Sequence, residues 1–135
     1  MTMNLSSDQL AFVDPLPVAR LGTVSPDGSP HVVPICPVLD LNRVVFTSQA
    51  GTAKVVNIDG DPRVTICWDD YLDDWDALRQ VIVFGRAMRV EPGFEFERDK
   101  ALLTAKFPQF LTQSTIEEGD LIFEVKIDRV SSWGL

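Results

Sequence analysis

The sequence predicts a mainly β domain of the α+β class: an antiparallel barrel of six strands with two or three helices at its rim. Three observations carry this. Short runs such as Arg63-Val64-Thr65-Ile66-Cys67-Trp68 alternate apolar and polar residues at the period of a half-buried strand. Turn residues separate neighbouring runs closely enough for hairpins, most clearly Ser25-Pro26-Asp27-Gly28-Ser29, where proline presets φ and Asp and Gly tolerate the remaining angles. The long run at 80–90 contains Gly85, which marks the bend or bulge that barrels use for closure. Hairpin-joined strands interrupted by few helices give an antiparallel barrel.

Residues 5–14 read as a short helix. Ser6 or Ser7 can cap it, Asp8 and Gln9 fall in its first turn, and Leu10, Phe12 and Val13 give it an apolar side. Asp14-Pro15-Leu16-Pro17 ends it. Residues 18–48 then read as a meander of three strands, at 18–24, 31–40 and 44–48, with a second, weaker turn at 40–43. Pro34 and Pro37 fall inside the middle strand. Proline cannot donate to a ladder and is confined to edges, bulges and strand ends. This strand therefore leaves backbone groups unpaired. They can meet a planar ligand, or the strand is irregular and nothing more.

Residues 49–58 have a helical rhythm, stopped by Gly60 and Asp61-Pro62. Gly51 and Thr52 thus stand at a helix N-terminus that follows a strand. Such an end offers free N–H groups and partial positive charge, which suit an anion. Thr52 adds a hydroxyl and Lys54 an ammonium on the same turn. The same residues also fit a capped helix with a solvated lysine. The strand at 63–68 is followed by an acidic, aromatic loop at 69–78. Its Tyr71 and Trp75 are too apolar for a purely solvated loop, so they fold back on the barrel or meet another subunit. After the strand at 80–90, Pro92-Gly93 breaks the chain. A helix follows at 95–107, with Phe96, Leu102, Leu103 and Phe107 as inner positions. The sixth strand runs over 120–130, and the tail ends on Trp133.

A chain of 135 residues is one domain, spanning 1–135. The net charge of −8 argues against nucleic acid, whose binders carry a basic footprint. No run of 18 apolar residues is present, so no membrane span is expected. The polar stretch at 1–9 lacks the basic flank and apolar core of a signal peptide. Cys36 and Cys67 each lie in an apolar run and read as buried free thiols, which implies a cytoplasmic protein. Neither cysteine has partners at metal-ligand spacing, and the chain has one histidine, His31, so no metal site is expected. His31 itself reads as structural in preference to a catalytic acid. No triad or H-E-x-x-H pattern occurs, and no catalytic residue is assigned.

The segments Ala19-Arg20-Leu21-Gly22-Thr23-Val24, Asp27-Gly28-Ser29-Pro30-His31-Val32-Val33-Pro34, Phe46-Thr47-Ser48, Thr52-Ala53-Lys54-Val55-Val56-Asn57 and Asp61-Pro62-Arg63-Val64 resemble, in order and spacing, the pyridoxamine 5′-phosphate oxidase-like, FMN-binding split barrels. Gly85-Arg86-Ala87, Lys106-Phe107-Pro108-Gln109-Phe110 and Trp133 extend the resemblance over nearly the whole chain. The match is best with the short flavin- and deazaflavin-dependent members. The resemblance implies a homodimer with two cofactors at the subunit interface. Val33, Pro34, Ile35 and Cys36 would lie against the isoalloxazine ring. Thr47 and Ser48 would line the ribityl chain or phosphate, and Thr52, Ala53 and Lys54 would hold the phosphate. Gln80 resembles a cofactor-contacting glutamine of the family's oxidases, and Trp133 would reach across the dimer. The resemblance further implies an oxidoreductase that moves a hydride to or from a small substrate. The cofactor carries that chemistry, and the protein binds and tunes it. The basic C-terminal pattern of the vitamin-converting oxidases is absent, which counts against pyridoxamine phosphate as substrate. Coenzyme F420 has a long acidic tail that prefers a basic groove. Lys54 is the only cation on the anion helix and the chain is acidic, which favours FMN over F420. Other members of the family bind haem or tetrapyrroles.

Overall fold

The computed structural model describes residues 4–135; positions 1–3 of the polar amino-terminal stretch lie outside the described residues. Helix α1 (Ser7–Val13) opens with a capping box: the Ser6 hydroxyl accepts from the Gln9 N–H, and the Gln9 side chain accepts from the Ser6 N–H. Strands β1 (Ala19–Val24) and β2 (Pro30–Ile35) form the expected hairpin, closed by the Ser25 N–H donating to the Ser29 carbonyl at 2.8 Å, with Gly28 at φ 87°. Next come β3 (Val38–Asp40), β4 (Arg43–Ser48), α2 (Ala53–Gly60), β5 (Arg63–Asp70), a 3₁₀ turn (Trp75–Ala77) and β6 (Arg79–Arg89). Helices α3 (Phe94–Lys106) and α4 (Gln109–Thr112) precede β7 (Leu121–Trp133).

The strands form one antiparallel sheet of seven in the order β2-β1-β5-β6-β7-β4-β3, curled into a split barrel. This corrects the expected count of six and the expected meander. The middle strand is two strands, because Cys36 and Pro37 pair with neither neighbour. β2 lies at one edge of the sheet and β3 at the other. The proline-broken stretch therefore carries the chain from edge to edge, across the opening of the barrel. The sixth expected strand also runs further than its alternation showed, and takes Trp133 into the sheet opposite Gln80.

Two apolar clusters fill the interior. The larger joins Leu21, Phe46, Ile66, Trp68, Val83 and Phe123 beneath α1 and α2, with the Phe46 and Phe123 rings stacked at 5.2 Å between centroids. The smaller seats Leu103 of α3 on Val38, Val45 and Ile122. Phe107 is buried as expected, whereas Phe96 and Leu102 are half-buried. At Gly85 the β6–β7 register slips by one residue. A Cβ there would sit 2.2 Å from the Lys126 carbonyl oxygen, so only glycine permits this approach.

α3 is clamped to the sheet by charge. The Arg43 guanidinium donates to Asp99 at 2.9 Å, Glu124 at 2.5 Å and Asp40 at 2.7 Å, and Arg98 donates to Asp99 and Glu124. Asp99 is wholly buried. The cysteines differ from expectation: Cys36 is exposed and Cys67 half-buried, because Cys36 sits on the crossing and Cys67 on the outer face of β5. Tyr71 and Trp75 do not fold back on the barrel; they are 67% and 69% exposed, and the Trp75 indole N–H donates to the Tyr71 hydroxyl. Among the described residues, no helix is long and apolar enough to cross a membrane.

Candidate functional site

The opening of the barrel holds a cavity of about 510 Å³, a size usual for small-molecule and cofactor sites. One wall is the end of β2 and the crossing, with Pro34, Ile35 and Cys36. The other is the end of β4 and the start of α2, with Thr47, Ser48, Gln49, Thr52 and Lys54. Phe110 of α4 and the segment before β7, with Ser114, Thr115, Ile116, Glu117 and Asp120, close the third side. The β2 ladder runs through Pro34 to Ile35 and stops at Cys36 and Pro37, and β2 is an edge strand, so strand pairing does not cover the space.

The α2 end is suited to an anion for a reason visible in its hydrogen bonds. Thr52 occupies the N-cap with extended backbone angles (φ −70°, ψ 162°), yet its side chain caps nothing. The first-turn N–H groups of Ala53, Lys54 and Val55 lack carbonyls in their own helix. The capped-helix alternative is thus excluded for the Thr52 side chain. Gly51, at φ 79°, supplies the left-handed turn that brings β4 into α2. Lys54 is half-buried on the cavity wall, and among the described residues no carboxylate comes within ion-pair distance of it. α2 is itself fixed by its buried Asn57, whose amide donates to the Thr23 hydroxyl at 3.0 Å. Thr47 donates its hydroxyl to the Leu121 carbonyl at 2.8 Å, which joins the two strands below the cavity floor. Nearby, at the end of α3, Lys106 donates to the Leu16 carbonyl at 2.9 Å, and burial pulls its pKa below the usual lysine value.

Of the residues that the sequence singled out, Pro34, Ile35, Cys36, Thr47, Ser48, Thr52 and Lys54 meet around this one cavity. Val33 and Ala53 neighbour it in sequence but do not line it. Gln80 and Trp133 stand opposite each other on β6 and β7, and neither lines the cavity. His31 faces a different cleft, beside Thr23 of β1, and its buried Nδ1 has no partner. Sequence reasoning missed the third wall. The 113–120 stretch carries no strand or helix period, and nothing local indicates which face of the molecule it covers.

A family model described as pyridoxamine 5′-phosphate oxidase matches residues 6–134. The chain belongs to that family, the class of protein that its split barrel and barrel-mouth cavity define. Similar solved structures include a conserved hypothetical protein from Mycobacterium tuberculosis, at 22% identity and a TM-score of 0.80, covering 98% of this chain and 86% of that one. The haem storage protein HutZ from Vibrio cholerae is 16% identical with a TM-score of 0.80, covering 97% and 94%. A FAD-binding protein from Mesorhizobium loti is 22% identical with a TM-score of 0.74, covering 98% and 96%. At these identities the likeness is one of fold. No curated protein matches the sequence.

Proposed function

We propose that this protein is an FMN-dependent oxidoreductase, working as a homodimer, that transfers a hydride to or from a small substrate. The observation that carries the reading is the convergence of Pro34–Cys36, Thr47, Ser48, Thr52 and Lys54 on one cavity at an uncapped helix N-terminus. In this reading the phosphate sits at the first turn of α2, held by the N–H groups of Ala53, Lys54 and Val55 and by the Lys54 ammonium. The ring system lies along the free outer edge of β2 at Pro34 and Ile35 and along the unpaired Cys36, with Val33 behind it. Bound FMN supplies the redox chemistry. The protein's part is to bind and orient.

Gln80 and Trp133 enter this site from the partner. They lie on the outward face of the sheet at the end where Tyr71 and Trp75 are exposed. A twofold arrangement would bring that end over the cavity of a second copy. An interface holding two cofactors calls for roughly 2,000 Å² or more of buried area.

The family relation also supports haem or F420 as occupant. The cavity gives neither an obvious hold. The only histidine, His31, is not among the residues lining it, and the single ammonium of Lys54 shares the lining with the carboxylates of Glu117 and Asp120, a poor setting for a polyanionic tail. The deciding experiment is titration of the purified, cofactor-stripped protein with FMN, F420 and haemin, each followed by absorbance. Saturable binding of FMN, with the flavin band at about 450 nm shifted on binding, is expected. Binding of haemin or F420 alone would overturn the assignment.

A further inference from the structure

We propose that Ser48 is a positioning residue for the α2 anion cradle: its hydroxyl, out of solvent, holds Thr52 and turns the Thr52 proton toward an arriving anion. The proposal rests on the cradle reading above and goes beyond it, because it gives Ser48 of the cavity wall a role exerted through Thr52.

Ser48 ends β4 and is 6% exposed. Its Oγ donates to the Gln49 carbonyl at 2.9 Å and lies 3.0 Å from Thr52 Oγ1. A hydroxyl has one proton and two acceptor positions. With the Ser48 proton spent on Gln49, Thr52 is the donor in the 3.0 Å contact. Its other acceptor, the Gln49 carbonyl, is 3.4 Å away, long for an O–H···O bond. The chain of donors therefore runs Thr52 to Ser48 to Gln49, with the Thr52 proton facing inward.

Both groups are rotatable hydroxyls, so the chain can reverse without moving a heavy atom. An anion at the first turn of α2 draws the Thr52 proton outward. Ser48 then swings its own proton from Gln49 to Thr52, and the chain runs Ser48 to Thr52 to the anion. Aligned donors strengthen one another. Ser48 thus orients Thr52 in both states, and Thr52 without Ser48 becomes a free rotor that must be ordered on binding.

The test is titration of wild type, Ser48→Ala, Thr52→Val and the double variant with FMN and with riboflavin, which lacks the phosphate. Ser48→Ala should weaken FMN about threefold to tenfold, the worth of one net hydrogen bond, and weaken riboflavin by clearly less. The double variant should bind FMN no more weakly than Thr52→Val alone. Equal losses for both flavins, additive losses, or no loss for FMN would overturn the proposal. A second measurement needs no flavin: inorganic phosphate titrated against the amide resonances of Ala53 and Lys54. Shifts in wild type that need higher phosphate in Ser48→Ala support the role; absent or identical shifts overturn it. Weakened phosphate shifts in a protein that binds no flavin would sustain the role of Ser48 and overturn only the flavin reading.

Discussion

Gln80 and Trp133 face each other across the β6–β7 ladder, so the amino end of one long strand and the carboxyl end of the other meet at one end of the sheet. Trp133 is more than half exposed there, an unusual place for a large indole unless something covers it. The chain should scatter as a dimer of its 15.0 kDa protomer. Trp133→Ala should shift the monomer–dimer balance toward monomer and weaken FMN together with it. Sedimentation at several concentrations, with and without FMN, checks both. A wild-type monomer at micromolar concentration would exclude a partner's role for this end of the sheet.

Lys54→Ala should weaken FMN about tenfold to a hundredfold, the worth of a charge-assisted hydrogen bond of about 1.5–3 kcal/mol. Thermal stability should hold, since no carboxylate among the described residues pairs with Lys54. Fluorescence titration measures the affinity, and unchanged binding would place the phosphate elsewhere.

Gly85→Ala should destabilise the fold by about 1–3 kcal/mol, because the added methyl meets the Lys126 carbonyl and the Val125 side chain at the register slip. Neither is the free end of a flexible chain. Urea unfolding followed by tryptophan fluorescence gives the figure, and a change within error would mean that the bulge relaxes freely.

Arg43→Ala should cost more, about 3–5 kcal/mol, since it leaves the wholly buried Asp99 short of its principal cation. α3 is the element most exposed to that loss, so hydrogen exchange should quicken there before it does in β5 or β6. Uniform quickening across the chain would argue that Arg43 supports the whole barrel and not the docking of one helix.

Stability should fall steeply in acid. Hydrogen bonds from Arg63 hold Asp61 at a pKa of about 2, below its ordinary 3.8, and against its burial Asp99 is held low by a hydrogen bond with Glu124 and then by those from Arg43 and Arg98. A carboxylate whose pKa is lowered by folding stabilises above its unfolded value, and that contribution disappears as pH falls through the folded value. Glu124 has the opposite sign. Burial, then the neighbouring Asp99, raise its pKa above 4.5, so its contribution is full below that value and fades as pH rises through the raised one. Denaturant midpoints from pH 2 upward should therefore flatten at the acid end in Asp61→Asn. Midpoints of wild type and Asp61→Asn that run parallel throughout would contradict the Asp61 part.

Local features were legible in the sequence and distant ones were not. The β1–β2 hairpin follows from five turn residues that bond among themselves, and the start of α2 follows from Gly51, Thr52 and the apolar spacing after them. Pro34 and Pro37 announced a broken strand. Nothing local could announce that its halves lie at opposite edges, because that depends on β5, β6 and β7 folding in between. The exposure of Cys36 was misread for the same reason: an apolar neighbourhood in sequence does not show that the chain is crossing open space. The Glu117 and Asp120 wall had no period to betray it. Gln80 and Trp133 were reached only through resemblance, and their pairing appears only in the sheet.

The proline-broken crossing bears on how copies of this protein can meet. A sheet with free edges offers rows of unpaired donors and acceptors on which a foreign strand can grow. Here one edge, β2, has Pro30 and Pro34 among its six residues, each without an N–H to offer, and the other, β3, is three residues long. The residues that open the mouth of the barrel also blunt its edges. Strand addition of the kind that builds fibrils finds little template at either end, and association between copies is left to the faces of the sheet.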